Sequence, residues 1–351
     1  MKIAVIGAGI FGCTIAIRLS NNGHDVDLYE RNDDICKEAS FVNQYRVHRG
    51  YHYPRSQETI ENCIKGELEF KNEYGECILE RTTNNYYAIS KYDSFLTSEQ
   101  CCEAWENNKL KFDEVNLEYV NYEQIDKVYR VEEELFDGEL LRKTLHERLK
   151  NSNVTVYLNT ESTKELLYGY NKIIVCTYSN NNSFLKEENK KLYQFELCEK
   201  ILVKMPDKFQ NESVVVMDGP FMCFDPYSSS SYHLFGNVKH AIHKTSTATE
   251  IIVPEKYKRF MNSGFYFMKN TNYEKFYNDL NKFFLNVEDT KYVGSMFTIR
   301  TVLPKREHDD ARPSLVEKID NRQINVFSGK IPTCISVANK VFEMIEGVNN
   351  G

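Results

Sequence analysis

The most specific chemistry in the chain lies in three glycines and one carboxylate. Gly7-Ala-Gly9-Ile-Phe-Gly12 follows the apolar run Lys2-Ile-Ala-Val-Ile6 and opens a stretch of helical composition, Ile10 to Asn22. In that context Gly7 permits a tight turn, Gly9 lets backbone approach a pyrophosphate, and Gly12 lets helix and strand pack closely. The helix start offers unpaired N–H groups to phosphate oxygens. Glu30 ends a second short run, Val26-Asp-Leu-Tyr29, where a carboxylate can accept ribose hydroxyls and disfavours a 2′-phosphate. The pattern serves FAD and NAD equally.

Other reactive side chains are less organised. His48 and His52 have the spacing of a helical metal pair, but Gly50 and Pro54 argue against a helix there. His233, His240 and His243 lack a carboxylate or thiol at a telling spacing, so no metal site is expected. The ten cysteines include no C-x-x-C pair and read as reduced thiols of a cytosolic protein. No Ser-His-Asp order, P-loop or paired-carboxylate motif stands out.

The elements that must position these residues follow from the apolar periodicity. Lys2–Ile6, Ile10–Asn22 and Val26–Tyr29 read as strand, helix and strand, a right-handed parallel unit closed by the turn Asn21-Asn22-Gly23. Gly138–Lys150 has Leu140, Leu141, Leu145 and Leu149 at helical spacing, and Val154–Leu158 and Lys172–Cys176 follow as strands. Between them and the C-terminus the runs Ile201–Val203, Ser213–Met217, His233–Phe235 and Glu250–Val253 lack intervening helices and predict a mostly antiparallel sheet. Ile324–Phe327 then reads as a strand and Pro332–Ile345 as a helix. The fold class is α/β, a nucleotide-binding layer interrupted by a β-rich domain.

A chain of 351 residues needs no disulfide or metal to build its core, and its net charge of −7 argues against nucleic acid or anionic membrane as a general partner. The apolar N-terminus is broken by glycines and lacks the marks of a signal peptide, so no membrane span is expected.

With the glycine signature, the segment Ala39-Ser-Phe-Val-Asn-Gln-Tyr-Arg-Val-His-Arg-Gly-Tyr-His-Tyr-Pro-Arg-Ser56, Ala311-Arg-Pro-Ser314 and Ser328-Gly-Lys-Ile331 resemble the D-amino-acid-oxidase-type FAD-dependent oxidoreductases. That family includes glycine and sarcosine oxidases and the glycerol-3-phosphate and L-2-hydroxyglutarate dehydrogenases. The resemblance implies FAD and a Rossmann-like FAD-binding domain (1–80, 130–190 and 300–351). It also implies a discontinuous antiparallel β-rich substrate domain (81–129 and 191–299). The implied cofactor residues are Gly7, Gly9, Ile10, Phe11, Gly12, Glu30, Arg31, Asn43, Arg46, His48, Thr177, Gly329, Lys330 and Ile331. Of these, Arg46 would neutralise phosphate, and His48 would touch the isoalloxazine, bond it covalently, or serve as base for an alcohol; the alternative is that His48 only holds the loop.

Arg312, before Pro313, would grip a substrate carboxylate bidentately; the alternative is a salt bridge with Asp309 or Asp310. Arg300 is a second candidate, and Tyr227 or Tyr232 could wall a substrate pocket. The family commonly has Ala/Thr-Gly after the strand ending at Cys176, where this chain has Thr177-Tyr178. The expected activity is oxidation of a C–N or C–OH bond in a small amino acid, amine or 2-hydroxy acid. The rivals are an NAD- or flavin-dependent enzyme acting on a nucleotide sugar, and a catalytically silent nucleotide-binding scaffold.

Overall fold

The computed structural model describes residues 1–79, 84–163, 165–261, 264–304 and 312–347. Two sheets carry the chain. In the first, β1 (Lys2–Ile6) and β2 (Asp25–Tyr29) flank α1 (Ile10–Asn21), and all but the first residue of each strand is buried. β1 also pairs in parallel with Lys172–Val175, and β2 with Val154–Tyr157. Gln323–Phe327 adds a further parallel strand and Leu315–Lys318 an antiparallel edge, for six strands in all. Near-continuous apolar runs are what a parallel sheet covered on both faces requires. Helices α1, Gly138–Lys150 and Cys334–Glu346 cover one face, and Leu167, Tyr170 and Phe184 pack on the other.

The second sheet has nine strands, from Asn84–Ser90 through Lys291–Val302, and is antiparallel apart from the pair Glu212–Met217 and Asn84–Ser90. Its longest ribbon joins Tyr193–Lys204 to Lys291–Val302. Only residues 201–203 of the first of these strands read as β from composition. The expected strand Glu250–Val253 does not form. The strand is Ile242–Ala248, and Ala248 pairs with Tyr193, the first residue of its partner, so nothing remains beyond it to pair with.

Among the described residues four α-helices lie outside the sequence reading: Gln57–Tyr74, Ser98–Asn107, the short Glu255–Lys258 and Tyr273–Phe283. The second starts at a capping box, Thr97 and Gln100 each bonding the other's amide. The expected helix from Pro332 begins as a 3-10 turn, Ile331–Thr333, before Cys334–Glu346.

Candidate functional site

One cavity of about 760 Å³ is lined from both sheets. It runs past Gly7, Gly9, Ile10 and Phe11, along Lys37–Ser40 and Val42–Arg46, past Gly329–Pro332, to the wall formed by Cys198, Lys200, Met222, Cys223, Gly236 and Thr298.

At the loop end, space is the decisive property. Gly7 has φ +93°, and a Cβ there would sit 2.7 Å from the Cys176 carbonyl oxygen. A Cβ on Gly12 would sit 1.9 Å from the Gly7 carbonyl oxygen, so the turn closes only on a bare residue. Gly9 caps α1 without a side-chain bond, leaving a helix start with no acidic residue in its first turn. Ser40 Oγ accepts the Ile10 N–H at 3.1 Å. Glu30 is buried, taking the Ala8 N–H at 2.8 Å on one oxygen and both the amide and side chain of Asn32 on the other. Arg31 pairs with Glu38 at 2.5 Å beside it. This cradle, small residues before an open helix start with a fixed carboxylate beside it, fits a dinucleotide.

The segment after Ser40 is tied down by its own side chains. Asn43 bonds the Ala39 and Ser40 carbonyls and takes the Tyr45 N–H, so its amide shapes the loop. Arg46 corrects an expectation. Its guanidinium is buried and donates to Glu133 at 3.0 Å, to Ser213 at 2.6 Å and to Asp225, so its charge is spent on two carboxylates and not on phosphate.

His48 places Nδ1 3.5 Å from Glu133, and burial pulls the imidazole below its usual pKa despite that carboxylate. His52, 5.9 Å from His48 ring to ring, is lowered further by burial and by His48. Lys330 sets its ammonium 4.1 Å from the Tyr53 ring, and burial pushes it down to about 7.

Thr177 donates from its amide and hydroxyl to Asn181 at 3.0 and 2.9 Å. Tyr178, where the family commonly has glycine, adopts φ +50°, the left-handed region that glycine takes most easily. Its hydroxyl donates to the Thr301 carbonyl and accepts the Thr301 N–H, both at 2.9 Å, which holds the strained residue in place. A Cβ on Gly329 would meet the Arg312 carbonyl oxygen at 2.0 Å, so Ile331 and Lys330 follow a close backbone crossing. Arg312 lines the cavity and is already engaged within the fold. Asp309 and Asp310 lie outside the described residues.

Other expectations need correction. Tyr227 and Tyr232 pack against the core beneath the first sheet and do not line the cavity; Phe221 does. Arg300 is ion-paired with Glu196. His243 meets Glu199 at 2.7 Å and His240 meets Asp279 at 3.7 Å, carboxylates that are remote in sequence. Among the described residues no cluster of three or more His, Cys, Asp or Glu could hold a metal. Lys200, Thr298 and Gln44 line the cavity without having been singled out from the sequence. The alternation Cys198, Lys200 along a strand was the only signal.

Such a cradle, opening on a β-sheet wall, defines a dinucleotide-binding protein with a second site beside the cofactor. The profile of the FAD dependent oxidoreductase family (DAO) matches residues 2–186, and the chain belongs to that family. An FAD-dependent monooxygenase of Aspergillus flavus is 25% identical over 251 residues, 64% of this chain and 58% of that protein. The chain thus spans less than two thirds of that relative. An FAD-dependent monooxygenase of Fusarium mangiferae is 23% identical over 352 residues, 98% of this chain and 91% of that one.

Glycine oxidase from Geobacillus kaustophilus shares the fold at TM-score 0.74 and 12% identity, covering 100% of this chain and 96% of that one. L-α-glycerophosphate oxidase from Mycoplasma pneumoniae, with FAD bound, does so at TM-score 0.74 and 15% identity, covering 98% and 94%. The family is that of FAD-dependent oxidoreductases, so the cofactor is FAD and the protein is an enzyme of that class. No described helix is long and apolar enough to cross a membrane.

Proposed function

We propose that the protein oxidises a C–N or C–OH bond of a small polar substrate: an amino acid, an amine or a 2-hydroxy acid. The observation that carries this reading is the continuity of the cavity, from the glycine cradle to a wall holding titratable groups. FAD, when bound, supplies the acceptor for the substrate's hydride.

The chain's own residues have narrower tasks. The Gly7–Gly12 turn and the start of α1 hold the pyrophosphate. Glu30, fixed by Ala8 and Asn32, keeps acceptor capacity for the ribose. Asn43, Thr177, Gly329, Lys330 and Ile331 border the space for the ring system. His48 is held neutral by burial, so it can take the proton of an alcohol, and Glu133 beside Nδ1 stabilises the imidazolium that results. The cysteines, none of them in a disulfide, support a reducing compartment such as the cytosol.

Anaerobic addition of amino acids, amines and 2-hydroxy acids to the FAD-loaded protein should bleach the flavin absorption with at least one of them. If none does, the reading falls. The names of the fungal relatives favour a second reading, hydroxylation. It predicts that an added nicotinamide reductant, and not the substrate, bleaches the flavin.

A further inference from the structure

The cavity wall in the large sheet contains a cation, Lys200, that forms no ion pair among the described residues. Strand residues alternate faces, so Cys198 and Lys200 point to the same side of Tyr193–Lys204 and both line the cavity. The facing strand decides what each meets. Glu196 stands opposite Arg300 and is ion-paired with it, whereas Lys200 stands opposite Met296. On the other flank Ile201 pairs with Phe235, which brings Lys200 alongside Gly236, over which the Cys223 and Gln44 side chains pack. The carboxylate in the neighbourhood, Asp225, is already occupied by Arg46, Gln44 and Ser213.

A second group faces the same space. Thr298, opposite Cys198 in the ribbon, is 4% exposed, and its hydroxyl is buried without a hydrogen-bond partner. Val216, Phe221, Met222 and Val238 complete the wall. A half-buried ammonium with no ion pair among the described residues and an unsatisfied hydroxyl each cost free energy until a ligand completes them.

We propose that Lys200 and Thr298 form the subsite that anchors a carboxylate of the substrate, selecting acids that carry a short apolar chain. This rests on the oxidation of a small polar substrate inferred above and narrows it to carboxylic acids. It also moves the anchor from Arg312 in the C-terminal loop to the large sheet. Burial lowers the affinity of Lys200 for its proton, and a bound carboxylate opposes that shift.

The test is calorimetric titration of the FAD-loaded protein with butanoate, 1-butanol and butylamine, three probes of similar size and different charge. Butanoate should bind, and the other two should bind at least about tenfold more weakly. Lys200→Met should raise the butanoate Kd by about tenfold or more, Thr298→Val by a few-fold, and Lys200→Arg less than Lys200→Met, with flavin content unchanged in each.

Equal butanoate affinity in wild type and Lys200→Met overturns the proposal. So does equal binding of the neutral probe, or a loss that appears in Arg312→Met and not at Lys200. Because binding is read without turnover, Lys200-dependent butanoate binding in a protein whose flavin no acid bleaches supports the subsite and sinks the oxidation reading. Bleaching by amines alone, with no butanoate binding, does the reverse.

Discussion

Where the cavity passes the glycine-rich loop, the polar groups around it are held by their neighbours. Glu30 takes the Ala8 and Asn32 amides, Ser40 takes the Ile10 N–H, and Arg31 meets Glu38. Where it meets the large sheet, Thr298 faces it with its hydroxyl unsatisfied, and Lys200 faces it with no ion pair among the described residues. The contrast matches the two ligands the cavity must serve. A cofactor that stays needs a rigid cradle formed before it arrives, whereas a substrate that comes and goes gains affinity from completing groups the protein leaves open. It also separates two kinds of cation: Arg46, buried and enclosed by carboxylates, is architecture, while Lys200, half-buried and facing the cavity, is available for binding.

The largest effect that would break this contrast is at Gly12. Gly12→Val sets side-chain atoms against the Gly7 carbonyl, and we expect near-complete loss of bound flavin with a destabilisation of about 3 kcal/mol or more. The flavin-to-protein ratio and Tm report it, and a fully loaded variant would show that the loop is not the cradle.

Arg46→Met comes next. It leaves Glu133 and Asp225 buried without their cation, which should cost about 3–5 kcal/mol in denaturant unfolding. A loss under about 1 kcal/mol would mean the network is not structural.

Glu30→Gln should weaken FAD by about 1–3 kcal/mol without unfolding the protein. Equal FAD affinity by titration would remove the ribose assignment.

The smallest effect concerns Lys330 and depends on pH. Burial depresses its pKa to about 7, so between about pH 7 and 10 the unfolded chain carries a proton that the folded chain lacks. The stability of the FAD-free protein therefore rises with pH across that window on account of this group. Below it the folded chain bears the cost of a partly buried charge. Lys330→Met should gain about 1 kcal/mol on wild type at pH 6 relative to pH 10, read by chemical denaturation at the two values. That is well below the roughly 4–5 kcal/mol of the full shift, because the half-buried side chain keeps part of its solvent. A pH-independent difference would show that the ammonium is well solvated.

How far the sequence could be read depends on the range of the interactions involved. The Lys2–Tyr29 unit was legible because its strand, turn and helix are adjacent and the glycines mark the turn. The capping box at Thr97 and Gln100 was equally local and could have announced the helix Ser98–Asn107. The partners of Arg46 could not be read, because Glu133 and Asp225 lie 87 and 179 residues away and meet it only after both sheets form. Lys200 and Thr298 required a cross-strand register that composition does not encode. Tyr178 was visible as a departure from the family's glycine, but not as a left-handed residue pinned by the Thr301 backbone.

The Arg46 network also bears on how ligands move. Arg46 belongs to the segment that follows the first sheet's opening unit, while Ser213 and Asp225 belong to the large sheet and Glu133 follows one of its strands. Swinging the two sheets apart would pull a desolvated guanidinium from both of its carboxylates, several kcal/mol at each opening. The two sheets are thereby held as one rigid jaw around the cavity.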